Sequence, residues 1–508
     1  MANISENNKR IAKNTVFLYF RMLFTMGVSL YTSRVVLNTL GVEDFGIYNV
    51  VGGVVMMFSF LSTTMAFAST RFITYELATG NKELLKRIFS ISCTFHFIIA
   101  IASMLLLEII GVWFLNHKMN IASERIEAAN WVFQFAIISF FISIISLPYN
   151  AAIIAHEKMT AFAYISILEV SLKLFIVFTL NWIIFDKLKL YAILTCLVAI
   201  LLRFVYGWYC QKQFEECRKY KFLFDKSLFM SMFNYVGWSL YTNLSHVSYL
   251  QGINILLNLF FGVVINTARG IAVQVQTVVL QFVTNFQMAA NPQIIKYYAQ
   301  KQYEIMFNLV FRISKFSFFI LFLLCIPLEF YMDLVLQLWL KNVPEYVVLF
   351  CRLTLILPLI NVVTLPFATI VLATGKLKKN SIILGTCNLL ILPTSFIFLR
   401  FGYPPEIVFY VNIFFYVVTM FARLYIVKIL VNFPALRFFT EVLSRILCIT
   451  ILTTGFSYFS SRWIEKDLIG LIIFSCISAI QISITVFFIG LNKQERQLIG
   501  RKISQIVM

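Results

Sequence analysis

The stretch Leu147–Lys158 reads LPYNAAIIAHEK, and 218 residues later Leu365–Lys376 reads LPFATIVLATGK. Both copies open on Leu-Pro, pass through an aromatic residue and small apolar side chains, and close on a lysine, Lys158 and Lys376. A second pairing supports the first: ASTRFITYE from Ala68 answers AANPQIIKYY from Ala289, with Arg71-Phe72-Ile73 opposite Gln293-Ile294-Ile295. Two matched pairs so far apart mark an internal duplication. A duplication of hydrophobic spans predicts two like bundles of helices, with a ligand-accepting region near the bilayer midplane where the repeats meet.

The 508 residues are 60% hydrophobic and 13% charged, with a mean hydropathy of +0.85, far from the roughly one-quarter charged content of soluble domains. Crossing a hydrocarbon core takes about 20 apolar residues. Fourteen stretches qualify, near 14–38, 45–68, 88–115, 129–155, 161–184, 188–210, 229–257, 266–290, 307–331, 345–373, 380–400, 405–428, 438–460 and 468–491. The longest connection is 211–228, so no loop has room for a soluble catalytic domain. The first stretch is too long for a signal-peptide core and no small-residue cleavage site follows at Thr39-Leu40-Gly41-Val42, so it is read as helix 1.

The net charge of +19 would suit nucleic acid, but its placement points to a membrane. With the N-terminus inside, twenty-seven loop lysines and arginines fall on the inner side, Lys315 and Arg423 among them, against eight outside (Lys118, Arg125, Lys187, Lys189, Lys341, Arg400, Arg462 and Lys466). This positive-inside pattern puts both termini in the cytoplasm. The nine cysteines show no CxxC spacing and are read as packing residues, without disulfides or metal.

The expected fold is all-α and integral to the membrane, with about fourteen transmembrane helices. Residues 1–210 form an N-terminal six-helix bundle (helices 1–6), 211–228 a cytoplasmic linker, and 229–428 a pseudo-symmetric second bundle (helices 7–12). Residues 429–508 add helices 13 and 14 and a tail, outside the duplication, with the walling of a lipid-tail groove as one use. Segments 69–87 and 429–437, where Lys and Arg stand beside Phe, Leu and Ile, read as short amphipathic surface connections.

Ionisable groups inside a bilayer are costly and mark functional positions. Arg203 and Arg445 are near enough to the interface to snorkel. Arg21 lies seven residues into helix 1, about 10 Å deep, and Arg352 a similar distance into helix 10, which makes both candidates. Arg34 is thirteen residues from Arg21, about 220° around a straight helix, so both face one cavity only if Gly27 bends the helix. Glu169 and Lys173 stand one turn apart in helix 5, either as a neutralising i,i+4 pair or as a proton- or ion-linked one. In helix 7, Ser239, Thr242, His246 and Tyr249 share a face, either lining a cavity or joining helices by hydrogen bonds, and His246 is a candidate proton-sensitive group. In helix 8, Arg269 heads a ladder of Gln276, Thr277, Gln281 and Thr284 within about 120° of arc, a track for an anionic, hydroxyl-rich ligand or a buried interhelical network.

No Walker loop, HExxH or Gly-rich dinucleotide turn is present, nor an acidic pair at a loop edge, so no catalytic residues, cofactor or metal are assigned. The chain is not expected to be an enzyme; a membrane glycosyltransferase or polymerase would need a substantial outer loop with catalytic groups.

The segments KNTVFLYFRML, LNTLGVEDFGIYNVV, ASTRFITYELATGN, LPYNAAIIAHEK, NTARGIAVQVQ and NFQMAANPQIIKYYA, taken in order with fourteen spans, resemble the polysaccharide-transporter branch of the multidrug/oligosaccharidyl-lipid/polysaccharide exporter superfamily. The likeness is greatest to bacterial O-antigen and capsule repeat-unit flippases and covers nearly the whole chain. It implies a substrate of undecaprenyl-pyrophosphate-linked oligosaccharide, moved from inner to outer leaflet of the bacterial cytoplasmic membrane by alternating access of the two bundles. It also implies membrane lipids, a polysaccharide polymerase and a chain-length regulator as partners, with no nucleic acid. In related lipid flippases, arginines on helices 1 and 8 make the central cavity cationic, the helices that carry Arg21 and Arg269 here. The alternative is a cation-coupled multidrug or metabolite exporter of the same superfamily; that branch generally has twelve spans and often an acidic residue in helix 1, where this chain has none between Asn14 and Asn38.

Overall fold

The computed structural model describes residues 2–41, 44, 47–48, 51–52, 54–55, 58–117, 123–180, 182, 185–218, 225–261, 263–340, 343–492 and 495–497. Among them the chain is a succession of fourteen helical rods without a strand. These are α1 (Ala2–Leu40), α2 (Ser59–Thr79), α3 (Lys82–His117), α4 (Ile126–Ala155), α5 (Met159–Thr179), α6 (Lys187–Gln213) and α7 (Lys226–Phe261). There follow α8 (Val263–Ala299), α9 (Tyr303–Leu340), α10 (Val347–Thr374), α11 (Lys378–Arg400) and α12 (Ile407–Val431). Helix α13 joins Ala435–Phe438, a π-helical turn at Phe439–Leu443 and Ser444–Ser460, and α14 is Leu468–Gly490. Among the described residues nine rods are long and apolar enough to cross a membrane, namely α3–α6, α9–α12 and α14. The fold is that of an integral, multi-pass membrane protein.

Side chains start several helices and left-handed residues stop them. Asn81 caps α3 by accepting from Leu84 N at 3.0 Å, Asp186 caps α6 through Leu188 N and Lys189 N, and Asp467 caps α14 through Gly470 N. At the other ends Gly80, Glu157, Gly375 and Asn432 take positive φ, which turns the chain and lets amides reach back to the last carbonyls.

The chain divides into two compact units, Met1–Asn243 with Ile295–Lys301, and Leu244–Ile294 with Gln302–Met508. The boundary falls inside α7 instead of at residues 211–228, and residues 219–224 of that expected linker lie outside the described residues. The first half of α7 joins the first unit because its side chains engage α2: Asn243 Nδ2 donates to Thr64 Oγ1 at 2.7 Å, and the Tyr235 ring meets Phe72 edge-on at 5.8 Å.

In the first unit α4 packs on α2, α3 and α6, while α1 packs on α5. Its apolar core includes Leu107, Leu115, Ala129, Val132, Phe133, Ile137 and Leu188. Gly111, in a π-helical turn of α3, is the closest approach: a Cβ there would stand 2.3 Å from Phe133 Cζ, so only glycine lets the ring in. Segment 69–87 is not a surface connection. It continues α2 to Thr79 and restarts as α3, with Ser69, Phe72, Ile73 and Thr74 buried. Its polar residues serve the interior, where Ser69 Oγ and Ser92 Oγ stand 2.7 Å apart beside the buried His96, whose Nδ1 is 2.7 Å from Ser92 O.

In the second unit α10 packs on α9 and α12, α11 on α12, and α13 and α14 on α9. Pro327 interrupts α9, which bends at Tyr331 (φ −114°, ψ 21°). Segment 429–437 is the end of α12, a break at 432–434 and the start of α13, held by aromatic anchors: Phe433, and Phe438 just beyond it, pack among the rings of Phe307, Phe311 and Phe367. Lys315, counted above as an inner-side loop residue, is buried in α9: its Nζ donates to Gly490 O at 3.2 Å and pairs with Glu495 at 3.0 Å. Arg445 Nη1 donates to the same Gly490 carbonyl at 3.3 Å, so both cations cap the end of α14.

Candidate functional site

Each unit carries part of the candidate set. In the first, the Arg21 guanidinium lies over the Phe162 ring, 4.6 Å from its centroid, a cation–π arrangement that suits a charge kept away from bulk water. The Arg34 side chain lies outside the described residues. Lys173 Nζ donates to Glu169 Oε1 at 2.6 Å, and both side chains remain partly exposed. Ser239 and Thr242 are half-buried on α7, and Thr242 Oγ1 donates back to Trp238 O at 3.2 Å.

In the second unit Arg269 is 4% exposed and donates from Nη1 to Asn254 Oδ1 on α7. The ladder below it behaves differently. Gln276 is half-buried, while Thr277, Gln281 and Thr284 are exposed, with both hydroxyls bonded to carbonyls of their own helix. The structure thus buries the cationic head against α7 and leaves the ladder accessible. On α7, His246 is exposed and its ring stands 5.7 Å from that of the buried Tyr249. Arg352 has a carboxylate of its own: Nη2 pairs with Asp333 at 2.9 Å, and Nε donates to Glu329 O at 3.1 Å.

Sequence reasoning missed two features of the second unit. Arg423, assigned above to the inner loops, lies within α12, where Nη1 donates to Asn361 Oδ1 at 2.9 Å and Thr364 Oγ1 at 3.5 Å, and its buried Nε has no hydrogen-bond partner. The other is an apolar cleft of about 660 Å³ walled by α9, α10, α12 and α13, with Phe322, Ile326, Leu359, Met420, Phe439 and Leu447 in its lining. Glu329 is the one carboxylate in that lining. The volume and chemistry suit an alkyl chain or an aliphatic or aromatic body. The signal available for it was the aromatic stripe along α9, FSFFILF.

At the end of the first unit opposite the α1 N-terminus, Arg125 grips Asp44 through two nitrogens and Asp186 through a third, at 2.6 Å. The hydrogen bond that it donates to Asp44 raises the Arg125 guanidinium above its ordinary value. Burial opposes ionisation of Asp186, but the bond from Arg125 and those from the α6 N-terminus outweigh it and hold the carboxyl below its usual range.

No protein-family profile matches the chain, and no curated protein matches it either. Its fold does match solved structures. A MATE transporter in the bent conformation superposes with a TM-score of 0.73 at 13% identity, covering 84% of this chain and 96% of that one. An outward-facing multidrug resistance MATE family transporter of the MOP superfamily gives 0.70 at 13%, over the same shares of the two chains. A MOP superfamily transporter from Pyrococcus furiosus, described as having a binding pocket of reverse polarity that suggests a different function, gives 0.70 at 14%, again over 84% and 96%. The chain therefore has the MATE-like fold of two pseudo-symmetric helix bundles.

Proposed function

We propose that this protein is a transporter that flips undecaprenyl-pyrophosphate-linked oligosaccharide, a repeat unit of O-antigen, capsule or exopolysaccharide, from the inner to the outer leaflet of a bacterial cytoplasmic membrane. Both termini face the cytoplasm, and the two bundles alternate access. The observation that carries the reading is a buried arginine of the second unit whose hydrogen-bond partner is neutral, in a unit that also holds an apolar cleft. Arg269 is buried on a neutral asparagine, which leaves its positive charge for an anion, and Arg21 rests on an aromatic ring. The cleft beside α13 offers about 660 Å³ to the hydrocarbon part of an amphiphile. Arg21 and Arg269 take the pyrophosphate, with Arg34 as a further contributor. Arg352, already paired with Asp333, contributes less. The accessible Thr277, Gln281 and Thr284, with Ser239, Thr242, His246, Tyr249 and Gln276, serve sugar hydroxyls. An inside-negative potential favours outward movement of an anion by about 2.3 kcal/mol per charge per 100 mV, so coupling through Glu169 and Lys173 or His246 is optional. Polymerase and chain-length regulator are the partners that would consume the product.

One observation favours a second reading. Glu329 places a carboxylate in the lining of the apolar cleft, a combination suited to an organic cation, and the neighbours in fold include a multidrug exporter. Reconstitution into liposomes with a labelled lipid-linked oligosaccharide separates the two. Under the flippase reading, Arg21→Ala and Arg269→Ala each lower flipping at least about tenfold, about 1.4 kcal/mol in the barrier, in protein that still inserts and purifies. Glu329→Gln leaves flipping intact. Cation export that is lost in Glu329→Gln and indifferent to both arginines selects the exporter.

A further inference from the structure

The turn that ends the first copy of the duplicated motif holds its carboxylate unusually. Lys158 N–H reaches Ile153 O at 3.0 Å and Glu157 N–H reaches Ile154 O at 2.9 Å, which makes Glu157 the left-handed residue of the cap, at φ +58°. At the same place in the second copy stands Gly375, at φ +72°. Glycine adopts that conformation without strain, and a residue with a Cβ does not. The glutamate is therefore kept at a conformational cost that its duplicate avoids.

Its carboxylate shows what the cost secures. The side chain is fully buried, 0% exposed, between Arg10 of α1, whose Nη2 is 3.2 Å from Oε2, and Lys296 of α8, whose Nζ bonds Oε1. Asn14 Nδ2 donates to the Glu157 main-chain oxygen at 3.3 Å. Next door, His156 Nε2 is 2.7 Å from Glu216 Oε1, and its ring stacks on Phe214 at 4.0 Å. One turn thus gathers α1, α8 and the segment just after α6. Lys296 lies in the last turns of α8, Ile295–Lys301, which belong to the first unit although the rest of α8 belongs to the second. A bond made there holds the end of a helix shared by both units.

We propose that Glu157 is a conformational latch: its buried carboxylate fastens the last turns of α8 to α1 and to the α4–α5 turn, and its release frees them during transport. The latch rests on the alternating-access reading above. A buried ion pair adds little net stability compared with an apolar core, but removing one partner strands the other, which makes such pairs effective at specifying one arrangement. Arg10 and Lys296 both keep some exposure, 46% and 21%, so water receives the cations when the latch opens.

Hydrogen exchange read by mass spectrometry on the purified full-length protein tests the latch without any cargo, so a failed flipping assay leaves it standing and its own failure leaves the flippase reading untouched. Glu157→Gln is expected to speed exchange of amides 295–301 about tenfold, about 1.4 kcal/mol of opening free energy, with α10 to α12 unchanged. Glu157→Gly, which copies the strain-free duplicate and keeps the turn, is expected to do the same. Lys296→Gln, which removes the cation from Oε1, should speed the same amides, while Lys296→Arg keeps a cation there and should hold protection to within about twofold of wild type. Unchanged exchange at 295–301 in both Glu157 variants, or a Lys296→Arg variant that behaves like Glu157→Gln, overturns the latch and leaves Glu157 as a local cap.

Discussion

The two copies of the duplicated motif end in the same left-handed cap, yet one closes on Gly375 and the other on Glu157, the first relaxed and the second strained and locked by two cations. The contrast recurs deeper in the bundles. In the first unit Gly111 admits the Phe133 ring and the helices close into a packed core, while in the second a cleft of about 660 Å³ remains, with Glu329 in its lining. Duplication supplied two like frames. One has been tightened by specific contacts, while the other keeps room for a guest.

The sharpest way to break this contrast is to crowd the filled side. Gly111→Val puts a branched side chain where even a Cβ would stand 2.3 Å from Phe133 Cζ, and overpacking of this kind costs about 2–3 kcal/mol. Thermal unfolding of the purified variant should show a clearly lower midpoint; a midpoint equal to wild type would mean that the first core is no tighter than the second. A smaller effect follows from making the caps alike. Gly375→Glu imports the strained residue at φ +72°, for an expected loss of about 1–2 kcal/mol. Should it match wild type in the same assay, left-handed strain would not distinguish the copies.

The smallest effect concerns acid. Asp186 is depressed in the folded first unit by its bonds to Arg125 and the α6 N-terminus, against its burial. Its contribution is therefore complete above its unfolded pKa near 4 and is lost as pH falls through the lower folded value. Stability curves between pH 5 and 2.5 should fall less steeply below pH 4 for Asp186→Asn than for wild type. Identical slopes would contradict the assignment.

The rods were legible because apolar stretches of the necessary length have few other uses, and α3 to α6 and α9 to α12 lie where hydropathy put them. Segment 69–87 was misread because Ser69, Thr70 and Arg71 look like an interface in sequence. Inside a bundle, the same polarity is absorbed by partners such as Ser92, which no local pattern announces. Arg423 escaped for the same reason, since its partners Asn361 and Thr364 lie some sixty residues away. Glu157 stood in the quoted motif itself. Its alignment with Gly375 was the visible clue, but a positive φ and the long-range bonds to Arg10 and Lys296 exist only once the chain has folded.

The central claim is that this protein moves an anionic lipid-linked oligosaccharide across the membrane, and leaflet sidedness tests it most directly. In cells depleted of the protein, undecaprenyl-pyrophosphate oligosaccharide would be probed from outside with an impermeant sugar-modifying reagent. Accumulation of the oligosaccharide on the protected cytoplasmic leaflet, reversed by wild type and not by Arg21→Ala, is the predicted result; an unchanged distribution while cationic drugs build up inside the cells would contradict it and establish the exporter.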